Sequence, residues 1–121
     1  SSTDYTTLPF NSVFASNGSS LTLQSDGGVK VGAGVKAVRI NAQYYHYTGT
    51  TGQKGCQIVR NSQVISRGLT QNVPQYTVLE KTAQYVNVTE GDVIYFQILG
   101  AKNDVIKAYQ HSTYMCVEVV A

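Results

Sequence analysis

The sequence is poor in charged residues. Asp, Glu, Lys and Arg make up 13% of its 121 residues, and the formal net charge is +2, whereas a typical domain has roughly 25% charged residues. Because Lys and Arg form no run, the composition gives no support to binding of nucleic acid or of an anionic membrane through charge. No apolar stretch approaches the roughly 20 residues of a membrane-spanning helix.

The motifs of common catalytic and metal sites are also absent. The sequence has no Gly-x-Ser-x-Gly elbow, no phosphate-binding glycine loop ahead of a helix, and no pair of Cys or His at metal-ligand spacing. Glu90 and Asp92 share one turn, as a glycosidase pair can, but two acids in a turn are usually solvated. We therefore expect no enzyme, no metal and no cofactor.

The two cysteines, Cys56 and Cys116, lie far apart, each within a strand-like run. This placement favours free apolar side chains over a disulfide. The chain does not begin with Met, so we expect a domain taken from a longer polypeptide. In this interpretation residues 1–7 are the end of a linker, and residues 8–121 form a single domain.

Short alternating apolar and polar stretches, separated by Gly, Asn, Asp and Ser turns, fill most of the chain. Eight to ten strands without a helix are typical of a sandwich or a barrel. Strand 93–99 is preceded by a tight turn at 89–92, in which Gly91 is free to take positive φ, and by a strand at 85–88. The side chains predicted to face the core on the two clearest strands are Val38, Ile40, Ala42, Tyr44, His46, Ile94, Phe96 and Ile98.

The order of these segments resembles the jelly roll of the tumour-necrosis-factor and complement-q type. The resemblance rests on residues 26–29 followed by 35–47, then 86–95, and finally 112–120, and it spans nearly the whole chain. It is nearest to the heads that end tail-fibre or baseplate proteins in phages of Gram-positive bacteria. The resemblance implies an all-β jelly-roll sandwich of two antiparallel sheets that assembles as a homotrimeric head.

In family order, residues 35–47, 93–99 and 113–120 are neighbours in the inner sheet that packs around the threefold axis. Each of these strands has a tyrosine among polar residues on the face away from the core, as interfaces favour. The alternative is ordinary cross-strand pairing on an exposed sheet. The predicted trimer interface consists of Gln43, Tyr45, Tyr95, Gln97, Tyr114 and Glu118.

Alternating strand directions predict that loops 48–54, 89–92 and 110–112 gather at one free end, opposite the end where the chain enters and leaves. A polar surface of this kind suits hydrogen bonds to sugar hydroxyls, although turn residues alone explain its composition. His111 is a candidate for an axial metal or anion, or an ordinary loop histidine. The predicted ligand-binding residues are Tyr47, Thr48, Thr50, Gln53, Lys54, Glu90, Asp92, Gln110 and His111.

The first functional hypothesis is a receptor-binding head of a phage tail fibre or baseplate, located at the tail tip of the virion. It would bind a host cell-wall saccharide by avidity, without catalysis, and continue into an upstream stalk. Two alternatives remain: a structural module that trimerises or decorates a fibre or capsid, and a secreted complement-q-like ligand for a protein receptor. No nucleic-acid or membrane partner is expected.

Overall fold

Ten strands in two antiparallel sheets make up the part of the chain that the computed structural model describes, namely residues 4–13, 16, 18–46, 52–74, 76–100 and 112–121. Those ranges contain no helix, and therefore none long and apolar enough to cross a membrane. The strands are β1 (Tyr5–Thr7), β2 (Leu21–Leu23), β3 (Val29–Val31), β4 (Ala37–His46), β5 (Gly52–Arg60), β6 (Gln63–Arg67), β7 (Gln71–Val73), β8 (Thr77–Asn87), β9 (Val93–Leu99) and β10 (Tyr114–Val119).

One sheet has seven strands and the other has three. The larger sheet has the order β2-β3-β9-β5-β6, with β1 beside β9 and β7 beside β5. The smaller sheet has the order β10-β4-β8. The strand order and the antiparallel pairing confirm the predicted jelly-roll sandwich.

The hydrophobic core lies between the two sheets. The alternating residues of β4 predicted to face inward, from Val38 to His46, are all buried. Their counterparts on β9, Ile94, Phe96 and Ile98, have no exposed surface at all. Both core-facing predictions are confirmed, because a strand with one apolar face can bury it only against the other sheet. Tyr44 and His46 lie beside each other within this core, with ring centroids 6.2 Å apart.

The segment around the 89–92 turn is not a hairpin. β8 pairs with β4 in the small sheet, whereas β9 pairs with β3 and β5 in the large one, so the connection 88–92 crosses between sheets. Val86 and Val88 are both buried on the core side, which draws the chain across rather than back along itself. Gly91 takes positive φ (92°), as predicted.

The amino-terminal residues also differ from expectation. Tyr5–Thr7, which lie in the segment assigned to a linker, form β1 and pair with residues 97–99 of β9. Residues 8–13, which follow β1, form no strand. Instead Leu8 is buried in the core and Phe10 packs against it. Apolar content identified an ordered segment here, but not its backbone conformation.

Residues 55–66 form most of a β5–β6 hairpin. Asn61, at its turn, has φ 57°, a conformation that Asn tolerates better than most residues. The register of this pair shifts between Ile58 and Val59. β5 begins at Gly52, so Gln53 and Lys54 belong to a strand rather than to a loop.

Phe96→Ala is expected to lower the free energy of unfolding by about 3–5 kcal/mol, because it removes a fully buried ring and leaves a cavity between the sheets. Leu69→Ala is the control, since Leu69 is 90% exposed. Chemical denaturation followed by circular dichroism measures both. Equal unfolding midpoints for the two variants would contradict this account of the core.

Candidate functional site

The predicted free-end site is divided between the two ends of the sandwich. One end, here called the His46 end, is where β4 and β9 finish. The other, the Asp92 end, is where they begin. Asn87 pairs with Ala37 at the Asp92 end, which puts the following turn with Glu90 and Asp92 there. Gln53 and Lys54 pair with β7 at the His46 end. The prediction was wrong because β8 and β9 belong to different sheets and the turn between them lies opposite the end of β4.

The two ends of the described chain are also separated. Tyr5 pairs with Leu99 at the His46 end. The Ala121 carbonyl accepts hydrogen bonds from the Lys36 and Ala37 amides at the Asp92 end. The expectation that the chain enters and leaves at one end was therefore wrong. The remaining predicted ligand residues lie outside the described residues: Tyr47, Thr48, Thr50, Gln110 and His111.

Lys54 is a core residue rather than a surface ligand. Only 1% of it is exposed, because it has the same strand parity as Cys56 and Ile58, which face the core. Its ammonium donates a hydrogen bond to the Gly100 carbonyl. In this position Lys54 is not accessible to a ligand, which corrects its predicted role. Charged side chains are buried in this way only when polar groups replace water around them.

Asp92 holds its own turn together. Its carboxylate accepts hydrogen bonds from the Thr89 amide (3.0 Å) and from Asn61 Nδ2 (3.1 Å), and the Asn61 carbonyl oxygen accepts one from the Val93 amide. The Thr89 amide is the main reason that the pKa of Asp92 lies below its ordinary value, with Asn61 and Arg60 adding to the effect. The carboxylate is therefore engaged in the fold, whereas Glu90 is exposed without a described partner.

The small sheet exposes an unusual face. The register places Tyr114 beside Gln43 and Glu80, and Cys116 beside Asn41 and Thr82, on the side away from the core. Val78 and Tyr45 form the next row, and Tyr85 lies at the β8 bulge opposite Arg39. Large apolar side chains are exposed here: Val78 by 46%, Tyr85 by 62% and Tyr114 by 36%. We call this surface the small-sheet face.

The small-sheet face contains four of the six predicted interface residues, namely Gln43, Tyr45, Tyr114 and Glu118. Two of these four side chains already have partners within the protomer. Glu118 pairs with Arg39 at 2.9 Å, and Gln43 donates to the Ser112 carbonyl.

Tyr95 and Gln97 lie on the opposite side of the molecule, because β9 belongs to the large sheet. The Tyr95 hydroxyl donates to Asp26 at 3.0 Å, and its ring packs so closely on Gly28 that a Cβ there would lie 2.7 Å from it. Burial, and then the bond to Asp26, raise the pKa of Tyr95. The expectation that residues 93–99 lie in the same sheet as residues 35–47 and 113–120 was wrong, since strand parity identifies a face but not a sheet.

Gln97 belongs to a row of polar side chains across four adjacent strands of the large sheet. Arg67, Gln57, Gln97 and Thr7 lie opposite one another in register. Arg67 Nε donates to Gln57 Oε1 (2.8 Å), Gln57 Nε2 to Gln97 Oε1 (2.7 Å), and Gln97 Nε2 to Thr7 Oγ1 (3.0 Å). We call this set the polar row.

Sequence reasoning missed the polar row. Gln57 and Arg67 are distant in sequence from Gln97 and Thr7, and only strand order brings them together. The hairpin centred on Asn61 was the available signal, because its register pairs Gln57 with Arg67.

The cysteines are free, as their placement in the sequence predicted, and they lie in different sheets. Cys56, on β5 of the large sheet, is buried in the core, and this burial raises the pKa of its thiol. Cys116 is exposed on the small-sheet face. Within the described ranges, no three His, Cys, Asp or Glu side chains are grouped as a metal site requires.

Comparison with known proteins identifies the fold alone. No family model and no curated protein sequence matches the chain. Among solved structures, murine APRIL at pH 8.5 superposes with a TM-score of 0.77 at 18% identity, over 99% of this chain and 90% of that one. Murine APRIL at pH 5.0 gives 0.70 at 20% identity over 86% and 80%. Pika GITRL gives 0.56 at 17% identity over 85% of each chain. These are tumour-necrosis-factor-family proteins, and the chain shares their jelly roll.

Asp92→Asn is expected to destabilise the fold at neutral pH and to flatten its stability profile in acid. Because the folded-state pKa of Asp92 is lowered, the stability that it provides is present above the ordinary pKa of a carboxyl group. It is lost as pH falls through the lowered value. Denaturation midpoints between neutral pH and pH 2 measure this contribution.

Glu90→Gln, in the same turn, is the matched control and should leave the acid limb of the profile unchanged. Identical profiles for wild type and Asp92→Asn would rule out the turn-holding role of the carboxylate.

Proposed function

We propose that the protein is a non-catalytic homotrimeric binding head, assembled through the small-sheet face. The observation that carries this proposal is the concentration of exposed apolar side chains on that face, with Val78, Tyr85 and Tyr114 on its two outer strands. Tyrosines grouped on one exposed face are typical of interfaces in soluble proteins, which are enriched in aromatic residues. The jelly-roll fold supports threefold assembly, as the family resemblance implies.

The occupant of the small-sheet face is a second copy of the same chain. Two charged residues of this face, Arg39 and Glu118, are already paired within the protomer, so that burial against a copy leaves no uncompensated charge at this pair. Tyrosines suit such a contact because they bury a large ring and keep a hydroxyl for hydrogen bonding.

We further propose that the head acts at the host surface as the receptor-binding end of a phage tail fibre or baseplate, with a host saccharide as its ligand. The sequence resemblance to such heads supports this setting, and the neutral, hydroxyl-rich composition supports a sugar ligand. Three linked copies raise the strength of a weak site, typically by about 10² to 10⁴. The Asp92 carboxylate accepts hydrogen bonds that hold its turn. This structural role supports a binding function over catalysis by Glu90 and Asp92.

A second candidate is a secreted ligand for a protein receptor. The likeness to APRIL and GITRL favours it, since both share this fold. A purely structural trimerisation module is the third candidate. The three differ in what the assembled head binds: a cell-wall saccharide, a protein, or neither.

Val78→Glu is expected to break the trimer. It places one carboxylate per protomer in the proposed interface, where an unpaired buried charge is strongly unfavourable. Light scattering after size exclusion should give about three times 13.1 kDa for the wild type and a single protomer mass for the variant.

Val64→Glu is the matched control, because Val64 is a similarly exposed valine (38% against 46%) on the large sheet. It should remain trimeric. Cys116 gives an independent readout, since its alkylation should be slower in the wild type than in Val78→Glu. A monomeric wild type, or a trimeric Val78→Glu, would remove the small-sheet face from the interface.

Binding to isolated host cell walls tests the saccharide ligand. The wild-type trimer should bind saturably, and Val78→Glu should bind at least about 100-fold more weakly, because avidity is lost while each site remains. Walls digested by protease should still bind if the ligand is a saccharide. Binding abolished by protease would favour the protein-receptor candidate, and a trimer without any binding would favour the structural module.

A further inference from the structure

Among the described residues, Arg67 is the arginine whose two terminal nitrogens both lack a hydrogen-bond partner. Arg39 donates to the Glu118 carboxylate, and Arg60 uses both terminal nitrogens, on the Asn87 carbonyl and on Gln63 Oε1. Arg67 is exposed, and only its Nε donates within the described part of the chain, to Gln57. Its two-pronged guanidinium edge is thus left facing solvent.

The Arg67 guanidinium is nevertheless held in place on two sides. The bond from Nε to Gln57 Oε1 measures 2.8 Å. The guanidinium carbon lies 5.3 Å from the centre of the Tyr5 ring, within range of a cation–π interaction. Tyr5 reaches this position across Gly55, where a Cβ would lie 3.4 Å from its hydroxyl. A side chain ordered before binding loses less conformational entropy when a ligand arrives.

Gln57 is itself held by hydrogen bonds on both sides. It is 4% exposed and its amide is fixed by Arg67 on one side and Gln97 on the other. The polar row therefore supports Arg67 as a positioning element. Among the described residues no carboxylate forms an ion pair with Arg67, so the site keeps its positive charge.

We propose that Arg67 binds the oxyanion of an acidic saccharide, either the phosphate of a sugar phosphate or the carboxylate of a uronic acid. Both groups present two oxygens that match the guanidinium edge in a bidentate contact. Tyr5, partly exposed beside it, offers an aromatic surface to the sugar, and the Thr7 hydroxyl ends the row of hydrogen-bonding groups. This inference rests on the proposed saccharide-binding function and specifies the class of saccharide.

The location of this site is compatible with the proposed trimer. The polar row lies on the outer face of the large sheet, and the small-sheet face lies on the other side of the core. Assembly through the small sheet therefore leaves three copies of Arg67 directed away from the contact between copies.

The test is a titration of the ¹⁵N-labelled trimer with glucose-1-phosphate, glucuronate and glucose, followed at the Arg67 Nε–Hε resonance. We expect saturable shifts with at least one of the two charged sugars and none with glucose. The sugar that saturates identifies the oxyanion. Arg67→Lys keeps the charge but loses the two-pronged edge, and should weaken binding about tenfold.

Arg60→Lys is the matched control, because both terminal nitrogens of Arg60 already donate to acceptors of the same chain. This variant should bind the charged sugar as tightly as the wild type does. Gln57→Leu tests the positioning role of Gln57. The Arg67 Nε–Hε resonance should shift in the free protein, and the affinity for the charged sugar should fall while the trimer persists.

No saturable shift with either charged sugar, or equal binding by Arg67→Lys and the wild type, overturns the inference. If cell walls still bind in that case, the proposed function survives without it, whereas loss of all saccharide binding removes both.

Discussion

The shared hydrophobic core of β4 and β9 is the constraint on which the other surfaces depend. Each strand buries one alternating apolar set, and both sets belong to the same core between the sheets. Because side chains alternate along a strand, burial of Ile40 and Phe96 directs Asn41 and Gln97 outward on opposite sides of the molecule. A one-residue slip in either strand would exchange its buried face with its outer one. The core thus determines both the small-sheet face and the polar row.

The sequence was sufficient to predict which residues of β4 and β9 face the core, and its resemblance to a known family implied the two-sheet jelly roll. Alternation is a local signal, and both core-facing sets were read correctly from it. It was not sufficient to predict how the strands are distributed between sheets. Tyr95 and Tyr45 share the same parity and a similar polar neighbourhood, yet β9 pairs with β5 while β4 pairs with β8. Pairing depends on contacts between distant residues, which single-strand patterns do not encode.

The same limit explains the outcome for the candidate site. The turn at Glu90 was correctly placed along the chain, including the positive φ of Gly91, but assigned to the wrong end of the sandwich. Lys54 was taken for a loop residue because a polar residue near a predicted turn is usually exposed. Its strand parity with Cys56 decides otherwise, and a carbonyl hydrogen bond accompanies the burial of its ammonium. Arg67 belongs to no sequence motif, because its distinction is that its two terminal nitrogens lack a hydrogen-bond partner among the described residues.

The direction of the hydrogen bonds in the polar row has a consequence for how that row presents itself. Arginine has no acceptor atom, so Arg67 can only donate, and this fixes the orientation of the Gln57 amide and then of the Gln97 amide. The two amide dipoles consequently align, with their oxygens toward the cation. At the far end the Thr7 hydroxyl accepts a hydrogen bond from Gln97, which leaves its own hydrogen available for donation to another acceptor. Because Arg67 can only donate, all the hydrogen bonds of the polar row run in one direction across four strands. The row begins with a guanidinium at one edge and ends with a hydroxyl at the other.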